Sequence, residues 1–134
     1  MANTRYPTGL KAISDGDVDF LVNTISMQMY SGVAVYNAAH DFLDDIAGSK
    51  AGSPVTCTIT STAGGLITAT VPAFSPPAVT VIAIVLYKNT TVDSTSQLLA
   101  WIDQKADGTP ISIDGDGSAI TLNWTGPIFS IGGA

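Results

Sequence analysis

Few side chains in this sequence have types and spacing that could carry out chemistry. His40 is the only histidine and Cys57 the only cysteine. Cys57 alternates with threonines along a predicted strand, so we expect its thiol on the buried face, where it stays protonated and inert. One histidine and one cysteine also cannot complete the tetrahedral ligand set of a zinc site. The sequence therefore predicts neither a catalytic dyad nor a metal centre. It predicts instead that His40 is hydrogen-bonded at the edge of the core.

The segment Asp114–Gly117 places two carboxylates close together, as a calcium loop would. Calcium takes six or more oxygen ligands, and an EF-hand loop also needs a third acid and a closing glutamate. The chain contains no glutamate, and Asp-Gly pairs are common in hairpin turns. We therefore predict a turn, with a bound ion at Asp114 and Asp116 as the open alternative.

The remaining acidic and glycine-rich segments do not form a recognisable active site. Asp41, Asp44 and Asp45 are predicted to lie on the solvent side of a helix rather than to form an acid/base pair. No glycine-rich phosphate loop follows a strand and opens a helix. The expectation is a protein that is not an enzyme, with no catalytic residue, cofactor or metal.

The composition favours a surface that contacts other proteins. Charged residues make up 12% of the 134 residues, about half the fraction of an ordinary soluble domain. The net charge is −6, and the five basic residues are scattered. Since a cluster of cations is needed to bind phosphates or anionic lipids, we expect neither nucleic acid nor a membrane as a partner. A neutral, threonine-rich monomer is the alternative to a subunit that buries its surface in an assembly.

Segments for targeting or membrane insertion are not evident. Residues 1–18 lack the apolar core of a secretory signal. The longest apolar run, over 78–87, is too short to span a bilayer. We therefore expect a soluble protein made in the cytosol.

The elements that would position these residues are mostly strands. Residues 55–71 alternate apolar residues with threonines on either side of Ala63–Gly65, which predicts a hairpin. Residues 78–88 are apolar on both faces and predict a central strand covered on both sides. Residues 19–30 predict a long strand, with a helix over 18–29 as the alternative. Further strands are predicted over 97–103, 110–114, 119–124 and 127–131, and a proline-rich loop over 72–77.

Strands at this spacing predict an all-β fold, an antiparallel sandwich or barrel-like domain over residues 19–134. One short α-helix is predicted over 35–46, capped by Asn37 and ended by Gly48, and it would cover one face of the central strand. Residues 1–18 have little apolar periodicity and predict an N-terminal arm that lies extended against a neighbour.

A resemblance to a known family is carried by several short segments between residues 20 and 131. These are Tyr36-Asn-Ala-Ala-His-Asp-Phe-Leu-Asp-Asp-Ile46, Val85-Leu-Tyr-Lys-Asn-Thr90, Gln97-Leu-Leu-Ala-Trp-Ile-Asp103, Gly108-Thr-Pro-Ile, Ile120-Thr-Leu-Asn-Trp124 and Ile128-Phe-Ser. In their order they resemble small structural proteins of tailed bacteriophages. The resemblance implies a virion protein, of the capsid decoration (cement) type.

A cement protein would bind the major capsid protein on the capsid exterior and itself form an oligomer, most simply a homotrimer. The partner-binding residues would be those of the arm, Thr4, Arg5, Tyr6, Pro7 and Leu10. A tail or fibre component of the virion is the second hypothesis. A carbohydrate-binding module is the third, with Tyr36, Tyr87, Trp101 and Trp124 as its aromatic platform.

Overall fold

Six antiparallel strands of this protein curl into a half-barrel, and further strands extend the same sheet. The computed structural model describes residues 3–105, 107–122 and 128–130. The half-barrel confirms the predicted all-β, barrel- or sandwich-like fold class. In chain order the elements are β1 (Thr4–Arg5), α1 (Pro7–Ser14), β2 (Ile25–Ser31), a 3-10 turn (Leu43–Asp45), β3 (Ser49–Lys50), β4 (Val55–Ser61), a 3-10 turn (Ala63–Gly65), β5 (Leu66–Thr70), β6 (Thr80–Val81), β7 (Ala83–Lys88), a 3-10 turn (Asp93–Thr95), β8 (Leu98–Ile102), β9 (Ile113–Asp114) and β10 (Phe129–Ser130).

The main sheet has the strand order β1-β8-β7-β2-β4-β5-β10, with β3 also paired to β2, and β6 pairs with β9 separately. The longest ladder joins β2 and β7, from Ile25 opposite Lys88 to Tyr30 opposite Ala83. As its apolar run predicted, β7 lies between two other strands and is buried on both faces. The predicted strand over 19–30 is confirmed for β2. Its first residues form a turn instead, closed by the bond from the Asp19 N–H to Asn23 Oδ1 at 2.7 Å.

Two hydrophobic clusters pack against this sheet. The cluster that contains Met27 and Met29, here the methionine cluster, also holds Ile25, Ile84, Leu86 and Cys57. The cluster that contains Tyr6, Tyr30 and Tyr87, here the tyrosine cluster, also holds Val85, Leu98 and Trp101. Alternate residues of β2 and β7 enter different clusters, as the two-residue period of a strand requires.

The predicted hairpin over 55–71 is confirmed by β4 and β5. Val55 and Cys57 are buried, whereas Thr56 and Thr58 face solvent. The later strands are shorter than predicted: β9 covers the end of 110–114, and Ile120 forms a single bridge with Phe74. The predictions for residues 123–127 and 131 lie outside the described residues.

The predicted helix over 35–46 is wrong. Apart from the 3-10 turn at Leu43–Asp45, this segment is irregular. Its backbone groups bond to the strand beside it instead of to one another: the Leu43 N–H donates to Ser96 O (3.0 Å), and the Leu98 N–H donates to Asp41 O (2.9 Å). The Asn37 carboxamide accepts from the Ala39 N–H at 2.9 Å. A helix N-cap makes the same bond, so the absence of the helix is explained by the main-chain bonds to Ser96 and Leu98.

The prediction that residues 1–18 lie as an extended arm is also wrong, because most of them fold as β1 and α1. Pro7 begins the helix, where its missing N–H costs nothing. At the other end Gly16 has a left-handed φ of 83°. The Gly16 N–H donates to Ile13 O (3.2 Å) and the Asp17 N–H to Ala12 O (2.8 Å), which is the Schellman arrangement that ends helices. Ala12 is buried in the methionine cluster, and this apolar burial holds the helix against its own sheet.

Candidate partner interface on the edge of the sheet

The N-terminal segment, residues 3–14, lies along β8. The contact between the two, here called the seam, contains the predicted partner-binding residues. Its strand β1 pairs with β8, so that Thr4 lies opposite Trp101 and Arg5 opposite Ala100. The Tyr6 N–H then donates to Leu99 O at 2.9 Å. The segment therefore completes the edge of the sheet by main-chain pairing, which is a way in which extended peptides bind proteins.

The Asn3 side chain continues this pairing beyond the end of β8. Its Oδ1 accepts from the backbone N–H groups of Asp103 and Gln104, each at 2.9 Å. Its Nδ2 donates to Gln104 O at 3.0 Å. One carboxamide thus bonds to both the N–H and the C=O of Gln104, as a neighbouring strand would.

Gly9 allows α1 to lie directly on β8. A Cβ at this position would stand 2.3 Å from Leu98 O and 3.1 Å from the Leu99 Cα. Both are main-chain atoms, so a side chain at position 9 would require the helix and strand to separate. The close approach fixes the height of α1 over the sheet.

Gln97 and Thr8 connect α1, β8 and the segment 34–46. The Thr8 hydroxyl donates to His40 O at 2.8 Å. Gln97 Nε2 donates to Asp41 O at 2.8 Å and lies 3.4 Å from the Thr8 hydroxyl. These bonds join three parts of the chain. Because hydrogen bonds are directional, they fix how α1 is oriented on β8, in addition to the apolar burial that holds it there.

The structure brings all five predicted partner-binding residues to this seam, but it uses them in different ways. Pro7 is exposed, Thr4 and Arg5 are partly exposed, and Leu10 packs partly buried against the methionine cluster. Tyr6 has no exposed surface at all. Its side chain therefore belongs to the core of its own chain, and the binding of a partner by the five residues stays a prediction.

Two tyrosine hydroxyls are buried in the tyrosine cluster without a hydrogen-bond partner among the described residues, those of Tyr6 and Tyr30. The Tyr6 ring lies 5.0 Å from that of Tyr36. Burial raises the pKa of both hydroxyls well above the usual value, and it raises the pKa of Tyr87 to about 12. These hydroxyls stay neutral at physiological pH, and two of them lack the bonds that buried polar groups normally make.

The side chains that were considered for chemistry are either buried or hydrogen-bonded within the fold. Burial raises the pKa of the Cys57 thiol to about 11, which agrees with the predicted protonated thiol. The Asp116 carboxylate accepts from the Ser118 N–H at 2.9 Å, which lowers its pKa, and Asp114 accepts from the Thr80 hydroxyl at 2.8 Å. Among the described residues there is no group of three or more His, Cys, Asp or Glu side chains that could hold a metal ion.

The aromatic platform proposed for carbohydrate is largely inside the protein. Trp101 and Tyr87 are buried in the tyrosine cluster, and the Trp101 indole N–H donates to Asp103 Oδ2 at 3.0 Å. Tyr36 is partly exposed. Trp124 lies outside the described residues. Two of the four rings are thus unable to stack on a sugar at the surface.

Asn3, Thr8, Gly9 and Gln97 define the seam and were not predicted. A glycine two residues after Pro7 and ahead of Leu10, Ala12 and Ile13 was the one local signal. Asn3, Thr8 and Gln97 could not be found from the sequence because their partners lie 101, 32 and 56 residues away.

Large apolar side chains are exposed in turns at both ends of β2. Leu21 and Val22 precede the strand and are 75% and 78% exposed, and Val33 and Val35 follow it at 78% and 66%. Asp19 Oδ1 accepts from the Leu21 N–H at 2.9 Å, which fixes the first of these turns. None of the helices in the described part of the chain is long and apolar enough to cross a membrane.

Comparisons of the chain with protein-family models, with curated proteins and with solved structures give no match. The resemblance to phage structural proteins therefore rests on the quoted segments alone.

Proposed function

We propose that this chain is a structural protein of a bacteriophage virion, a capsid decoration (cement) protein that binds the major capsid protein on the outside of the shell as a homotrimer. The observation that carries the proposal is the exposure of two pairs of large apolar residues, Leu21 with Val22 and Val33 with Val35, at the two ends of β2. Large contiguous apolar patches mark protein contacts, and each end of β2 is therefore a candidate contact surface.

The energetics of such a contact suit a cement protein. Burying apolar surface favours association, and the part that exceeds the costs of ordering and polar desolvation appears as affinity. A protein that binds the expanded shell and not its precursor stabilises the expanded state by mass action. A protein with this role needs no active site.

The direct test is co-sedimentation of the purified chain with expanded shells of the phage that encodes it. Deleting residues 1–12 is a poor variant, because these residues include β1 and part of α1. Surface variants are sharper: Leu21→Ser with Val22→Ser, and Val33→Ser with Val35→Ser. We expect at least one pair to lower shell binding tenfold or more while the unfolding midpoint stays within a few degrees.

The matched control is Val92→Ser, an exposed valine in the loop between β7 and β8. Shell binding that survives both double variants would contradict the proposal. Gold labelling of intact virions decides between head and tail. A cement protein is expected on the head in hundreds of copies, and label on the tail in a few to tens of copies would favour the tail or fibre hypothesis.

A further inference from the structure

We propose that the N-terminal segment, residues 3–14, is exchanged between copies of this chain, so that β1 and α1 of one copy dock on β8 of a second. This inference concerns contacts between copies and does not depend on shell binding. It rests on the hinge that joins the segment to the sheet, on the kind of contacts that hold it, and on the two buried hydroxyls beside it.

The hinge consists of the four exposed residues Ser14–Asp17. On one side Ala12 is buried, and on the other side Val18 and Phe20 are buried, so that both flanks are anchored. Opening the hinge would break the Schellman bonds of Gly16 and Asp17 and the bond from Lys88 Nζ to Asp17 O. Four extended residues reach at most about 14 Å, which places the second copy directly beside the first.

The contacts of the segment can be made equally well by another copy. They are main-chain pairs with β8, the close packing of Gly9, the Asn3 bonds to Gln104, the Thr8 bond to His40 O, and the burial of Tyr6 and Ala12 in the two clusters. Their partners lie on β8, just beyond its end and in the segment 34–46. An exchanged segment therefore keeps every docking contact and changes only the path of the hinge, which is the condition for domain swapping.

The buried hydroxyls make release of the segment easier. Tyr6 brings one hydroxyl into the tyrosine cluster on docking, and there neither it nor that of Tyr30 has a hydrogen-bond partner among the described residues. Undocking returns the Tyr6 hydroxyl to water, so the segment is held less tightly than its buried area suggests.

Gly16 supplies the sharpest test, because the closed hinge requires its left-handed φ of 83°. A Cβ there would meet nothing within 4 Å. Gly16→Ala therefore strains only the backbone of the closed form, and an opened hinge is free of that strain. We expect the oligomer fraction at a fixed protein concentration to rise about fivefold or more. The purified chain, refolded without shells, would be measured by light scattering after size exclusion.

Gly108→Ala is the matched control. Gly108 has a φ of 84° and is equally open around its Cβ position, but it lies in a turn that does not join the segment to the sheet. It should leave the oligomer fraction unchanged at a comparable loss of stability.

A cross-linking experiment identifies the exchanged contact itself. Arg5 and Ala100 are Cα partners, within the range that a disulfide spans. One chain would carry Arg5→Cys and the other Ala100→Cys, both with Cys57→Ala, and the two would be refolded together under oxidising conditions. Exchange predicts a disulfide-linked heterodimer that neither chain forms alone. Equal oligomer fractions for the two alanine variants, or a mixture that stays uncrosslinked, would overturn the proposal, whatever the result of shell binding.

Discussion

The two clusters on the sheet are covered by segments of very different construction. The methionine cluster is covered in part by α1, a helix that satisfies its own backbone and approaches β8 through Gly9. The tyrosine cluster is covered by the irregular segment 34–46, which contributes Ala34, Leu43 and Ile46. Its backbone relies on bonds to β8 and to its own polar side chains.

This difference decides what each cover is sensitive to. A helix needs no outside partner for its interior N–H and C=O groups, so shape at the contact dominates its docking. An irregular segment must find partners for its backbone groups elsewhere. The packing of α1, the first cover, should therefore be sensitive to changes in side-chain volume. The packing of the segment 34–46, the second cover, should be sensitive to the loss of polar groups and to pH.

The largest effect is expected from Gly9→Ala. In an open helix this change would stabilise the protein by up to about 1 kcal/mol. Here the new Cβ would meet Leu98 O at 2.3 Å, so we expect a loss of about 3 kcal/mol from forced separation of α1 and β8. Urea unfolding measures it, with Ser14→Ala, on the exposed end of the same helix, as the control. A stabilised Gly9→Ala variant would show that α1 does not lie on β8.

The same contrast explains what could be predicted from the sequence. The hairpin β4–β5 and the central strand β7 were predictable because each follows from a local pattern, alternation in one and apolar residues on both faces in the other. The segment 34–46 carries a helical stripe, and Leu43 and Ile46 are indeed buried. Val35, the first residue of that stripe, is exposed, because hydrogen bonds with β8 set the backbone conformation of this segment.

In the N-terminal segment the error is the opposite one, because a helix forms where none was predicted. Pro7 at the start and Gly16 at the end are helix boundary signals, but eight residues that include a glycine have little helical stability of their own. What stabilises α1 is the surface of β8, about 90 residues away in sequence. The complete burial of Tyr6 likewise depends on a contact that no local pattern encodes.

The next largest effect should come from the buried hydroxyls. Tyr6→Phe and Tyr30→Phe each remove a hydroxyl without a partner among the described residues while keeping the ring. We expect each to stabilise the protein by about 1–2 kcal/mol, since an unsatisfied buried group costs about 1–3 kcal/mol. Thermal unfolding would measure the gain. Tyr36→Phe, on a partly exposed ring of the same cluster, should change little, and a loss of stability in the first two variants would mean that their hydroxyls are bonded.

A smaller effect is expected at Asn3, which precedes β1 at the start of the N-terminal segment. Asn3→Ala removes three hydrogen bonds to Asp103 and Gln104 at an exposed site, where water replaces much of what is lost. We expect a loss of about 1 kcal/mol. Hydrogen exchange should quicken at residues 3–6, with the interior of β7 unaffected. An equal rise in exchange across β7 would show that Asn3 supports the whole sheet and not only its edge.

The smallest effect is a pH dependence of stability, which we expect from the segment 34–46. Asp45 accepts from the N–H groups of Asp41 (2.9 Å) and Phe42 (3.1 Å). The Asp41 backbone bond, together with the Asp41 side chain and the Phe42 backbone, lowers the pKa of Asp45. An acid whose pKa is lowered on folding stabilises the protein above its unfolded pKa of about 4, and this stability is lost as the pH falls through the folded value. The stability from Asp45 should therefore fade below pH 4.

Asp41 opposes this change in part. Its hydrogen bond to Asp45 raises its pKa, so its protonated form favours folding below the unfolded value, and this contribution is lost as the pH rises through the folded one. Asp45→Asn should flatten the decline of stability between pH 5 and 3, measured by urea unfolding at each pH. Asp44→Asn removes the same charge from the same turn and is the control for charge alone. Since both sites are exposed, the difference should be well under 1 kcal/mol. Equal slopes in the two variants would mean that the ionised Asp45 does not hold the turn at Leu43–Asp45, and the second cover would then rest on its main-chain bonds to Ser96 and Leu98 and on its buried side chains.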